Sequence, residues 1–243
     1  MNTYLIQLII YSASIIIIAW IGGLIPFYFR HNKRMIHLFI SFGAGVLLGA
    51  AFLHMIPDSV EYIGPKVGFS ALLGFLLLYI LEKFVMTHPC PAEHCEYHRV
   101  GLTAFIGLSL HSLITGLALG AGIMVPHLGL IVFIAILFHK LPASLSLTSL
   151  FIKENYSAKK IFSYLTGFSV MVPIGAFTTF FFFDLSGDHQ TIGYLIAFSA
   201  GTFLHVAADD LLPEVHHQSS DRVLRLFTFL LGLIIIGGVK FLE

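Results

Sequence analysis

The feature that most restricts this chain is a series of eight apolar stretches, each long enough to cross a bilayer as a helix of roughly 20 residues. They fall at about 4–29, 36–57, 66–86, 100–124, 127–151, 161–183, 190–213 and 223–242. A membrane β-barrel would instead need short strands alternating between lipid-facing and lumen-facing residues. Runs such as "IIIIAWIGGLI" and "FTFLLGLIIIGG" do not alternate. Of 243 residues, 57% are hydrophobic and 11% charged, whereas a soluble domain carries roughly 25% charged residues. The polar surface is too small to cover a globule in water. The expected fold class is an all-α polytopic membrane protein, one transmembrane domain over residues 1–243.

A formal net charge of +0, with no basic cluster, argues against a polyanionic partner such as nucleic acid. The first stretch lacks a basic leader, is longer than a signal-peptide core, and is followed by Arg30, Lys33 and Arg34. It therefore reads as a span. Ten of the 13 Lys and Arg residues lie in loops after odd-numbered spans. Lys66 and Lys240 lie on the other side, and the one left over, Lys140, sits inside a span. Positive charge marks the cytoplasmic face, so both termini are expected on the extracytoplasmic side.

An internal repeat runs through this series. The second span contains "FISFGAGVLLGAAFLHMIPDSV" (39–60) and the seventh "LIAFSAGTFLHVAADDLLPEVH" (195–216). Shifted by 156 residues without gaps, they share seven identities, from Ile40/Ile196 to Pro57/Pro213. About two would arise by chance from such compositions. The two segments run in opposite directions through the membrane. Oppositely oriented repeats are a mark of transporters that hold their substrate near the midplane. The expected arrangement is 3+2+3, an inverted repeat flanking a central pair of spans, with Pro57 and Pro213 near opposite surfaces.

The central pair reads "GLSLHSLITGLALGAG" and "IAILFHKLPASLSLTSL". His111 and His139 each lie about 11 or 12 residues into their spans, roughly 17 Å deep at 1.5 Å per residue. The connection around Val125 and Pro126 is short, so the two helices should be antiparallel neighbours with their imidazoles at one depth. Imidazole suits zinc and other borderline divalent ions. Pro142 has no N–H, which leaves the Phe138 carbonyl without its usual partner. Such a carbonyl is tolerated at that depth only where protein or water satisfies it.

These residues resemble the ZIP (Zrt/Irt-like) divalent-metal transporters. That family carries His-Asn-x-x-acid-Gly on its fourth helix and His/Gln-acid-x-Pro-acid on its fifth; here "HSLITG" keeps His111 and Gly116, and "HKLPA" keeps His139 and Pro142. "FLHMIPDS" also looks like the family's second helix. The resemblance covers essentially the whole chain, and implies eight helices with both termini outside. It departs at Ser112, Thr115, Lys140 and Ala143, where the family has Asn and acids. Two adjacent metal sites are normal in the family. The resemblance carries over only His111 and His139 as ligands of the first, and Lys140 resembles a branch with His-Lys-x-Pro, an ammonium standing where a second cation would sit. A buried ammonium is expensive unless paired, so a carboxylate is expected beside it.

The seventh span supplies candidates. His205 and Asp209 lie four apart on one face, with Asp210 and Glu214 on a neighbouring face. His205, Asp209 or both are expected to complete the metal coordination, and Asp210 or Asp209 to serve as counter-ion to Lys140. His54 and Asp58, four apart near the outer end of the second span, form a capture pair. The inner exit holds Glu214, His216 and His217. A ligand-rich cytosolic loop at 87–99 adds His88, Cys90, His94, Cys95 and His98. Its two cysteines, spaced C-x4-C, do not fit a zinc finger, and a reducing compartment keeps them free.

What the resemblance implies is a divalent-cation carrier, zinc first with Fe2+, Mn2+ and Cd2+ as alternatives, working by alternating access through the midplane histidines. The metal is substrate, and no organic cofactor is expected. No phosphate-binding loop is present to couple it to ATP. The rival is a zinc-dependent intramembrane hydrolase with His111, His139 and His205 around the metal and Asp209 or Asp210 as base. Such an enzyme gains nothing from an inverted repeat. The expected partners are the ion and the lipid bilayer, with a homodimer as the assembly entertained.

Overall fold

The computed structural model describes residues 2–86, 100–123, 128–182, 189–213 and 221–239. Among them, all regular structure is helical. The chain runs through α1 (Asn2–Tyr28), α2 (Lys33–Gly49), a π-helical turn (Ala50–Met55), α3 (Ile56–Ile63), a 3-10 turn (Gly64–Lys66), α4 (Val67–Ile80) and a second π turn (Leu81–Met86). It continues as α5 (Val100–Gly122), α6 (Leu128–Lys153), α7 (Ala158–Phe182), α8 (His189–His205), a third π turn (Val206–Leu211) and α9 (Arg222–Val239).

Among the described residues, six helical stretches are long and apolar enough to cross a membrane: Thr3–Tyr28, Lys33–Lys83, Gly101–Gly122, Val132–Lys153, Ala158–Phe182 and Gln190–Asp209. The second of these has 51 residues, which at 1.5 Å each is about 75 Å, far beyond a 30 Å hydrocarbon core. It is broken at Gly64, whose φ of 56° ends α3. That backbone suits glycine because no Cβ opposes it. The protein is a multi-pass integral membrane protein, and its burial is inverted to match. Lys140 heads the large side chains that are fully buried, while Ile10, Ile17, Phe69, Leu72, Phe227 and Ile234 face outward. In lipid, apolar side chains outside cost nothing, and the helices meet through small residues and hydroxyls.

The helical segment expected over 36–57 runs on beyond Pro57 to Ile63. Directly before the proline, the π turn shifts the backbone bonds to five residues, with the Ile56 N–H on the Ala51 carbonyl. A π turn leaves a backbone group unpaired in any case, so a residue without an N–H is tolerated just after it. Pro213 stands in the same relation to the third π turn, where the Leu212 N–H bonds the Ala207 carbonyl. The two turns start at residues 50 and 206 and end at 55 and 211, an offset of 156 at both ends.

Close helix contacts repeat the pattern. A Cβ on Gly45 of α2 would meet the Phe229 carbonyl of α9 at 1.9 Å, and one on Gly232 of α9 the Phe42 carbonyl at 2.3 Å. In the α4–α8 pair, Gly201 faces the Ala71 carbonyl at 1.8 Å and Gly74 the Phe198 carbonyl at 1.9 Å. Only glycine allows backbones this near. Elsewhere α5 packs on α7, and α6 lies against α1, α2 and α5.

Candidate metal site

His111 of α5 and His139 of α6 turn toward each other. Their Nε2 atoms are 3.3 Å apart, and the ring planes cross at 70°. His111 is 4% exposed. Its other nitrogen, Nδ1, meets the hydroxyl of Ser199 on α8, and its face lies against Phe203, with ring centroids 3.8 Å apart. His111 is thus held at its far side and on its face, with the two Nε2 atoms converging.

Lys140 is 1% exposed. Its Nζ donates to Ser112 Oγ at 2.8 Å and to the Phe168 carbonyl at 3.0 Å, and lies 3.4 Å from the centroid of the Phe168 ring. Among the described side chains, no carboxylate stands beside it, and two neutral oxygens and an aromatic face satisfy the ammonium. A desolvated cation–π contact is worth about 2 kcal/mol, and hydrogen bonds to a charged group about 1.5–3 each. Asp209 lies elsewhere, and the Asp210 side chain lies outside the described residues. Ser112, the residue in place of the family's asparagine, supplies one of the oxygens.

His205 does not join His111 and His139. Its Nε2 lies 3.2 Å from Glu82 Oε2 and 4.0 Å from Asp209 Oδ2. The ligand atoms of Glu82, His205 and Asp209 all fall within 4.8 Å of one another, as a metal ion would require. The edge of the ring stands on Phe75 and Tyr79 of α4. Helical phase explains the divergence. At about 100° per residue, Ser199 and Phe203 share a face while His205 is turned about 160° from Phe203. His205 is 0% exposed and its Nδ1 has no hydrogen-bond partner among the described residues.

Glu82, in the second π turn, is the residue the sequence reading passed over. Beside Lys83, whose Nζ is 3.9 Å from it, it resembles one half of a solvated pair. The signal was a lone acid closing an apolar stretch. His54 stands in the first π turn, with Nε2 2.7 Å from the Ile236 carbonyl of α9. Asp58, one turn on, is half-buried.

Comparison with known families decides the class. The model of the family described as ZIP zinc transporter matches residues 5–98 and 86–240. The chain belongs to the ZIP zinc transporter family. Its relatives in the family include zinc transporter ZIP9 of Micropogonias undulatus, 28% identical over 258 residues, with 84% of this chain and 83% of the relative covered. Zinc transporter ZIP9 of Xenopus tropicalis is 25% identical over 252 residues, with the same two coverages, 84% and 83%. Zinc transporter ZIP1 of Danio rerio is 26% identical over 267 residues, covering 87% of this chain and 86% of the relative. Against the ZIP background, the remaining candidate ligands His88, Cys90, His94, Cys95, His98, Glu214, His216 and His217 lie outside the described residues.

Proposed function

We propose that this chain moves zinc across the membrane by alternating access, holding one ion between His111 Nε2 and His139 Nε2. As a ZIP family member it is a membrane transporter of divalent metal, not an enzyme. The observation that carries the site assignment is the 3.3 Å between the two nitrogens. Two ligand nitrogens about 2.0–2.1 Å from a tetrahedral zinc stand about 3.3–3.4 Å apart. Iron, manganese and cadmium are alternative cargoes for the same donors, with zinc favoured by imidazole.

The arrangement proposed is eight spans as 3+2+3, with both termini outside. Supporting the repeat are the two π turns at an offset of 156 and the paired glycine contacts of α2 with α9 and α4 with α8. Discontinuities in helices related by such a repeat are where transporters place their sites. His54 and Asp58 form the outer capture pair. Glu82, His205 and Asp209 form an inner station that receives the ion, and the loop at 87–99 with Glu214, His216 and His217 leads it away. Lys140 fills the volume a second ion would take. The hydrolase alternative has no support from the family.

The test is uptake of radioactive zinc into proteoliposomes by wild-type protein and by His111→Ala and His139→Ala. Each substitution should abolish saturable flux at low zinc. Wild-type KM and rate in both would refute the site.

A further inference from the structure

His111 and His139 face each other through their Nε2 atoms, and the far nitrogen of His111, Nδ1, meets the hydroxyl of Ser199. A hydroxyl gives or takes a proton equally well. Only when it takes one, from Nδ1–H, is the Nε2 of His111 a lone-pair donor to an ion.

We propose that Ser199 is a positioning residue of the zinc site, which accepts the Nδ1–H of His111 and so presents Nε2 to the ion. This rests on the site assignment above. Ser199 is 0% exposed, so no water competes for the imidazole nitrogen. Its backbone is held in turn, because its carbonyl accepts the Thr202 hydroxyl at 2.7 Å. Phe203, four residues on, covers the face of the same ring. One turn of α8 thus grips His111 at its edge and its face, fixing tautomer and orientation together. It also ties the ligand helix α5 to α8, whose next turn carries His205 toward Glu82.

Removing a partner behind a metal-ligating histidine lowers metal affinity by about 10–100-fold. In zinc uptake by proteoliposomes, Ser199→Ala should therefore raise KM about tenfold or more, with the rate at saturating zinc retained. Ser199→Thr keeps the hydroxyl and should stay near wild type, while Ser199→Val, equal in shape to Thr, should follow Ala. This pair decides the matter where the Ala variant fails to assemble. Nitrogen-15 spectra of the zinc-loaded wild type should show His111 protonated at Nδ1. Equal KM for the Thr and Val variants, or a zinc-loaded His111 protonated at Nε2, overturns the proposal. If His111→Ala loses zinc while the Ser199 variants match wild type, the Ser199 assignment alone fails. A wild-type KM in His111→Ala removes the site itself.

Discussion

Phe203 and His205 stand two residues apart on α8 and serve separate clusters. The Phe203 ring lies on His111, while the His205 imidazole points to Glu82. One helix therefore supplies the wall of a two-histidine centre and the principal nitrogen of a His-carboxylate group. The two clusters should separate functionally.

For the central pair, the loss should appear as affinity. Partners that only orient a ligand cost about 10–100-fold when removed, so deleting an imidazole should cost about 100-fold or more. Isothermal titration of detergent-solubilised His111→Ala and His139→Ala with zinc reads this directly. Retained micromolar binding in either variant would count against a shared ion.

Glu82→Gln should do the reverse. It weakens the inner cluster without touching His111 or His139, so zinc binding at the centre should persist while maximal uptake falls. Binding and flux measured on the same preparation separate these effects. A shift in affinity with unchanged maximal flux would mean that Glu82 acts on the central site.

Lys140→Met removes the charge but keeps length and packing. Since Ser112 and Phe168 hold the ammonium, the expected destabilisation is about 1–3 kcal/mol, not the 3–5 of a broken buried ion pair. A melting shift of several degrees and an unchanged one-zinc stoichiometry are expected. Lys140→Asp should bring the bound metal from one ion to two, read by elemental analysis. Stoichiometry that stays at one in the aspartate variant rejects the idea that lysine fills a second site.

Gly45→Val and Gly201→Val should fail alike. Each Cβ would strike a carbonyl, at 1.9 and 1.8 Å respectively, and overpacking of this kind costs about 1–3 kcal/mol or more. Size-exclusion profiles after mild heating should show parallel losses of monodisperse protein. A severe defect in one and none in the other would break the repeat relation between their helices.

Much of this organisation was legible from residue order. Apolar length located the helices, and the expected pairing of the fourth and fifth spans set His111 beside His139. The direction of His205 was not legible, because an i, i+4 pair with Asp209 fixes a face of α8 but not which neighbour that face meets. Packing of α4 on α8 decides this, through glycine contacts at Gly74 and Gly201. Nor could charge counting find the partners of Lys140, since a backbone carbonyl and an aromatic face leave no mark in the sequence. The π turns before Pro57 and Pro213 were equally silent.

The described surroundings of Lys140 bear on how long cargo stays. Two imidazoles and a nearby ammonium, with no described carboxylate beside them, offer a dication ligands but little electrostatic welcome. Dwell time at the centre should accordingly be short, which favours turnover over storage.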